Sequence, residues 1–296
     1  MSEELRPVSS GELRPRRSVL YMPAANERAL EKAKLIPCDA IIFDLEDAVA
    51  PDAKPLARAQ AVAAVTSGQY GSRELTIRCN GLSTPWGSDD IAAAATAAPS
   101  AIVIPKVESV AYLDDIAARL DAAGATGTSI WAMVETPTAI FDVRTIAAHS
   151  RVSVLVIGTN DLAGELRAPL GVAGRTNLTP YLATAVLAAR ESGKVVLDGV
   201  YNNVKDLDGF VAECRQGVEM GFDGKTLIHP GQVDAANKAW SPTEDEIATA
   251  RRVVEAYAEA EADGRGVVTV DGRMVEALHV DNARRTLAVA DSIAPL

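Results

Sequence analysis

The sequence predicts an α/β fold, a (β/α)8 barrel with a C-terminal helical extension, on three observations. Eight short apolar runs recur along the 296 residues. Each run is apolar on both faces rather than alternating, as strands buried in a parallel sheet are. The stretches between runs are long enough for crossover helices, and nearly every run ends in a charged or metal-binding residue. In such a barrel the C-terminal strand ends form the active-site mouth, so those terminal residues mark where the chemistry sits.

The runs are Ser18–Pro23, Ala40–Asp47, Leu75–Asn80, Ala101–Lys106, Ser129–Glu135, Val152–Asp161, Lys194–Asp198 and Lys225–His229. Helical stretches with apolar residues three and four apart lie between them: Asn26–Lys34, Lys54–Ser67, Asp89–Ala98, Val110–Ala123, Thr138–His149, Thr179–Ser192 and Leu207–Met220. Gly124, Gly193 and Gly221 fall where helix C-caps are expected. After the eighth run, Ser241 or Thr243 is a good N-cap for a long helix reaching Ala262, with Glu244 and Asp245 suiting its first turn. Residues 264–272 read as a short hairpin or strand and 274–290 as a last helix. The expected organisation is a loose tail over 1–15, the barrel over 16–240 and an extension over 241–296 that can cover the mouth of its own barrel or a neighbour's.

Charge and cysteine usage narrow the partners. The net charge of −11 disfavours nucleic acid and anionic membranes. A local arginine or a bound cation can still invert the field for an anionic ligand. Cys38, Cys79 and Cys214 show no CxxC spacing and are odd in number, as expected of reduced thiols in a cytoplasmic protein. No apolar run approaches the length of a membrane span.

Glu135 and Asp161 close adjacent runs, so their carboxylates can converge. Two hard oxygen ligands with open positions suit Mg²⁺, and no His or Cys cluster suggests zinc. The alternative is that both merely cap loops. Arg78 closes the third run, and its planar fork suits a substrate carboxylate. Its alternative is a structural pair with Asp44 or Glu46. Asp44, Glu46 and Asp47 crowd the second run's end, where they orient Arg78 or metal-bound waters. Lys106 fits either a Schiff-base lysine or a partner for a neighbouring strand-end carboxylate, the second being favoured because a divalent cation already polarises a carbonyl. Lys225 begins its strand and so faces the wrong end. His229 before Pro230 reads as a structural hydrogen bonder or a base. Gly158-Thr159-Asn160-Asp161 is not a phosphate loop.

Taken together, Arg17-Ser18-Val19-Leu20-Tyr21-Met22-Pro23, Phe43-Asp44-Leu45-Glu46-Asp47-Ala48-Val49, Arg78-Cys79-Asn80-Gly81, Pro105-Lys106-Val107-Glu108, Glu135-Thr136, Gly158-Thr159-Asn160-Asp161-Leu162-Ala163 and the segment from Gly221 to Gln232 resemble the citrate lyase beta-subunit family of the HpcH/HpaI aldolase superfamily. The resemblance runs from about Arg16 to Ala290. It implies a (β/α)8 barrel, Mg²⁺, and reversible carbon–carbon cleavage of a hydroxyacyl-CoA such as citryl-CoA, citramalyl-CoA or malyl-CoA. It matches Glu135 and Asp161 to the metal ligands, Arg78 to the arginine on the substrate carboxylate, and Lys106 with the Asp44–Asp47 acids to the polar shell. Arg16 and Arg17 are implied near the coenzyme A phosphates, and a trimer or hexamer is implied in which the C-terminal segment covers a neighbour's site.

Two departures stand out. Pro23-Ala24 replaces the family's Pro-Gly, and Gly272-Arg273-Met274-Val275-Glu276 replaces Gly-Lys-Met-x-Asp, so the lid aspartate becomes Glu276. A reach difference of about 1 Å can cost on the order of a hundredfold in rate, which counts against efficient malyl-CoA-type chemistry and leaves a different substrate open. The rival readings are a class II aldolase on CoA-free 2-oxo acids, an acyl-CoA thioesterase, and a non-catalytic subunit of a lyase complex.

Overall fold

Eight parallel strands close on themselves in sequence order, β1 to β8, in a computed structural model that describes residues 14–293. The strands are β1 (Ser18–Pro23), β2 (Ala40–Asp44), β3 (Glu74–Arg78), β4 (Ala101–Ile104), β5 (Ser129–Val134), β6 (Val152–Ile157), β7 (Val195–Asp198) and β8 (Gly224–Leu227). Closure comes from β1 pairing with β8, Ser18 opposite Lys225 and Leu20 opposite Leu227. The fold is therefore the (β/α)8 barrel that the apolar runs predict. The helices are α1 (Glu27–Ala33), α2 (Lys54–Thr66), α3 (Gly87–Ala97), α4 (Val110–Ala122), α5 (Pro137–Ala148), α6 (Thr159–Glu165), α7 (Thr179–Glu191), α8 (Leu207–Met220) and α9 (Val233–Ala239). Gly221 caps α8 at φ 93°, and Gly124 and Gly193 follow the caps of α4 and α7 at φ 78° and 64°.

Alternation along each strand decides what faces the barrel axis. Val19, Ala40, Ile42, Ala101, Val103, Trp131, Met133, Val154, Val156 and Leu197 pack into one buried cluster. Continuing the same parity toward the C-terminal ends brings Tyr21, Asp44, Arg78, Glu135, Gly158 and Thr226 to the mouth. On β2 and β5 the interior thus changes from apolar to ionic within one residue pair, Ile42 to Asp44 and Met133 to Glu135.

The opposite parity faces the helices. Asp198 and Lys225 lie side by side in the β7–β8 register and point outward. Lys225 is fully buried, its Nζ 2.7 Å from Asp198 and 2.8 Å from Glu213 of α8, while Arg175 lies 2.6 Å from Asp198. This lysine is a strut between barrel and helix layer. Removing one member of a buried ion pair strands the other in low dielectric. Lys225→Met is expected to cost about 3 kcal/mol in chemical denaturation, with the barrel still folding.

The remaining described residues, Arg14, Pro15 and 240–293, form a second compact unit. The N-terminal tail expected over 1–15 otherwise lies outside the described residues. In this unit α10 (Glu244–Ala262) starts at a capping box: the Glu246 N–H donates to Thr243 Oγ1, and the Thr243 N–H donates to Glu246 Oε2 at 2.7 Å. Antiparallel β9 (Val268–Val270) and β10 (Arg273–Val275) are joined by Asp271-Gly272, both at positive φ, as the tight hairpin turn requires. The last helix, α11 (Ala277–Ser292), packs on α10. Among the described residues no helix is long and apolar enough to cross a membrane, and the three cysteines are buried and unpaired.

Candidate active site at the barrel mouth

Arg78 is the fixed point of the mouth. As the last residue of β3 it sits beside Asp44, the last residue of β2, in the strand register. Its Nε and Nη2 donate to the two Asp44 oxygens at 2.7 and 2.6 Å. Nη1 reaches Glu46 at 2.7 Å and Asp47 at 3.3 Å. The Tyr21 ring lies 4.8 Å from the guanidinium carbon. Burial opposes the arginine's charge, but Asp44, Tyr21 and Glu46 outweigh it and hold the proton more tightly than usual. Both readings of the sequence therefore meet in one residue. The bidentate edge is spent on Asp44, and Nη1 is the nitrogen left to share with a ligand.

The acids are held as firmly. Backbone N–H groups of Glu46 and Ala48 donate to Asp44, so the loop after β2 wraps its carboxylate. Beneath the loop, the buried Lys54 ammonium donates to the Leu45 and Glu46 carbonyls, both at 2.7 Å, and to Asn80 Oδ1 at 2.9 Å. Burial pushes the Glu46 carboxyl up to about 7; Arg78 lowers it, and Asp47 and Asp44 push the other way.

Glu135 follows β5 and is almost wholly buried, 2% exposed. Burial and then the Glu46 charge push it up to about 8, against the lowering effect of the Lys106 N–H, which donates to Oε1 at 2.8 Å. Asp161 is not the end of a strand as the apolar run suggests. β6 stops at Ile157, Gly158 leaves the extended conformation at φ −94°, ψ 80°, and Asp161 sits in the first turn of α6. An acid in that turn complements the helix dipole. The Lys106 Nζ lies 3.3 Å from Asp161 Oδ1, the pairing with a neighbouring carboxylate favoured above.

Gly158 makes room for Glu135. A Cβ at 158 would collide with the Glu135 carboxylate and stand 2.5 Å from its Cβ. Gly158→Ala is therefore expected to displace the carboxylate by a few tenths of an ångström or more. The loss in kcat/KM is expected to approach about a hundredfold, with about 1–3 kcal/mol of stability lost to the overpacking. Steady-state kinetics paired with thermal unfolding checks both parts.

A cavity of about 350 Å³ opens among these groups, bordered by Tyr21, Asp47, Arg78, Glu135, Asp161 and Thr226. Asp44, Glu46, Asp47, Glu135 and Asp161 outnumber the cations Arg78, Lys106 and Lys54 around it. Among the described residues no group of three or more His, Cys, Asp or Glu side chains stands ready to hold a metal. Two hard carboxylates in a cation-poor mouth fit Mg²⁺, which keeps waters and takes further oxygens from substrate.

Other sequence-predicted residues lie elsewhere. Arg17 precedes β1 and is at the opposite end of the barrel, its guanidinium on Asp39 at 2.7 and 2.8 Å. Arg16 is there too, paired with Glu74 and 5.5 Å from the Trp131 ring. A residue entering a strand faces away from the mouth, so the placement of Arg16 and Arg17 toward substrate phosphates is corrected. His229 is exposed and its Nδ1 accepts the Gly231 N–H at 3.0 Å, a local structural bond. Glu276 belongs to the C-terminal unit, where it is exposed and precedes α11. Sequence reasoning missed Tyr21, Lys54 and Gly158. The signals were a tyrosine on the inward parity of β1, a lysine in register with the buried Ala57 and Ala61 of α2, and a glycine on the inward parity after β6.

Comparison with known proteins gives this mouth relatives. The chain is 48% identical over 280 residues to the (3S)-malyl-CoA thioesterase of Cereibacter sphaeroides, covering 95% of this chain and 96% of that protein. It is 34% identical over 287 residues to citrate lyase subunit beta of Escherichia coli, covering 94% of each. The crystal structure of protein CitE from Mycobacterium tuberculosis in complex with magnesium, acetoacetate and coenzyme A superposes with a TM-score of 0.76 at 28% identity, covering 93% of this chain and 97% of that one. The model of the HpcH/HpaI aldolase/citrate lyase family matches residues 17–230. The chain belongs to the HpcH/HpaI aldolase/citrate lyase family.

Proposed function

We propose that this protein is a Mg²⁺-dependent enzyme acting on a short hydroxyacyl-CoA of the malyl-CoA class, and that it hydrolyses the thioester. The observation that carries the reading is the pairing, at one mouth, of a buried Glu135 and a part-exposed Asp161 with an Arg78 that three acids lock in place. Such a mouth suits a substrate bearing several oxygens, a hydroxyl and carboxylate among them. The long match to a (3S)-malyl-CoA thioesterase supports hydrolysis over carbon–carbon cleavage, reversing the order that the motifs suggested.

Glu135 and Asp161 would hold the metal, which when bound supplies Lewis-acid polarisation of substrate oxygens. Arg78 contributes fixed positive charge where negative charge develops, at no reorganisation cost because its geometry is already set. Asp44 has both oxygens committed to Arg78 and to the backbone. Asp47 borders the cavity, is 71% exposed at its side chain and touches Arg78 only at 3.3 Å. It is therefore the acid assigned to take a proton from the attacking water. Closure of the mouth by Glu276 and the C-terminal unit of a neighbouring copy, in a trimer or hexamer, belongs to the same proposal.

A second reading, carbon–carbon cleavage, is favoured by the match to citrate lyase subunit beta and by the acetoacetate and coenzyme A in the Mycobacterium tuberculosis structure. Mass spectrometry of products separates the two. Hydrolysis of malyl-CoA yields malate and free CoA; cleavage yields acetyl-CoA and glyoxylate. Purified protein with Mg²⁺ is expected to release malate and CoA, and chelator is expected to stop it. Acetyl-CoA with an oxo acid from malyl-, citramalyl- or citryl-CoA would replace hydrolysis with cleavage, and turnover insensitive to chelator would remove the metal from the reading.

A further inference from the structure

Lys106 adopts a left-handed backbone conformation, φ 48°, in the loop after β4. A side chain there is strained, and such strain persists only where the surroundings impose it. What the conformation achieves is specific. It turns the Lys106 N–H onto Glu135 Oε1 at 2.8 Å while its ammonium lies 3.3 Å from Asp161 Oδ1. One residue thus touches both carboxylates assigned to the metal. The backbone contact is fixed and buried at the Glu135 end. The ammonium is not: the Lys106 side chain is 55% exposed and Asp161 37%, so the tip can leave without disturbing the loop.

We propose that Lys106 is a tethered counter-cation, seated on Asp161 when the site holds no metal and displaced by the incoming divalent ion. The proposal rests on Glu135 and Asp161 being the metal carboxylates. A divalent ion on the Asp161 carboxylate would stand close to an ammonium 3.3 Å from Oδ1, and repulsion between the two cations drives the exposed tip away. The displaced ammonium stays at the rim, carried by a backbone that remains bound to Glu135. There it is free to meet an anionic group of the substrate. Metal binding then prepares the site for the anion, a coupling between two ligands that works in both directions.

Zero-length crosslinking tests the geometry directly. A carbodiimide activates a carboxylate, and a touching amine displaces the urea to form an amide with net loss of water. In metal-free protein a Lys106–Asp161 crosslink is expected in the peptide map, and saturating Mg²⁺ is expected to suppress it several-fold. In Glu135→Gln, where Mg²⁺ no longer binds, the crosslink is expected to persist with Mg²⁺ present. Calorimetry supplies a second readout: Lys106→Met is expected to bind Mg²⁺ roughly threefold more tightly, the scale of an exposed ion pair. A crosslink that never forms, one that survives saturating Mg²⁺, or unchanged or weaker Mg²⁺ binding by Lys106→Met overturns the proposal and leaves the metal site standing. No calorimetric Mg²⁺ binding by wild type removes the metal site itself, and this proposal with it.

Discussion

Glu135→Gln abolishes Mg²⁺-dependent turnover in this account, with a loss on the order of a thousandfold or more, since a metal supplies several kcal/mol of transition-state stabilisation and each 1.4 kcal/mol is a factor of about ten. The substitution is nearly isosteric. Its amide oxygen can still accept the Lys106 N–H that now reaches Oε1, and the cavity left for it by Gly158 is unchanged. Stability should move the other way. Burial, with Glu46 and Asp161 nearby, pushes this carboxyl up to about 8, so it is largely neutral already at pH 7, and the replacement relieves desolvation and repulsion only as pH rises toward and above 8. The expected pair of results is lost activity with a melting temperature equal to or above that of metal-free wild type. Calorimetry should show Mg²⁺ binding lost in parallel. A variant that kept near-wild-type turnover would remove Glu135 from the chemistry.

Arg78→Met has the second large effect, and it falls on stability and activity together. The side chain contacts Asp44, Glu46 and Asp47 at once, and removing it leaves a buried Asp44 without its cation. Breaking a buried pair on one side costs about 3–5 kcal/mol. Arg78→Lys separates charge from geometry. An ammonium restores one positive charge but cannot span both Asp44 oxygens while also reaching Glu46. Lys is expected to recover most of the melting temperature lost in Met but little of kcat. Recovery of both by Lys would mean that the fork geometry does not matter.

The barrel was legible because strands buried on both faces leave continuous apolar runs, and because glycines fall at the helix ends where φ turns positive, as at Gly221. The mouth was legible for the same reason: Asp44, Arg78 and Glu135 stand where apolar parity stops at the C-terminal end of a strand. Asp161 was found in the right place for an incomplete reason. Its run is apolar up to Ile157, and periodicity alone does not separate a strand that continues through Gly158 from one that hands over to a short helix. Arg17 was misplaced because its role came from the resemblance alone, although the run Ser18–Pro23 already set it at the start of a strand, as Lys225 is. Entering β1, it belongs to the base of the barrel with Asp39. Lys54 and Gly158 left signals of placement, on the buried face of α2 and on the inward parity after β6, but not of role. Their roles are to hold the Leu45 and Glu46 carbonyls and to leave a gap for Glu135, and both depend on contacts that a hydrophobic pattern does not state.

The most direct measurement of the central claim is the anomalous diffraction of Mn²⁺ soaked into crystals of the protein, Mn²⁺ being an oxygen-seeking stand-in for Mg²⁺. One strong peak is expected within coordination distance of both Glu135 and Asp161, with the Lys106 ammonium moved off Asp161. A peak on other residues, or none under conditions where the enzyme turns over malyl-CoA, would contradict the assignment of this mouth as the metal-dependent active site.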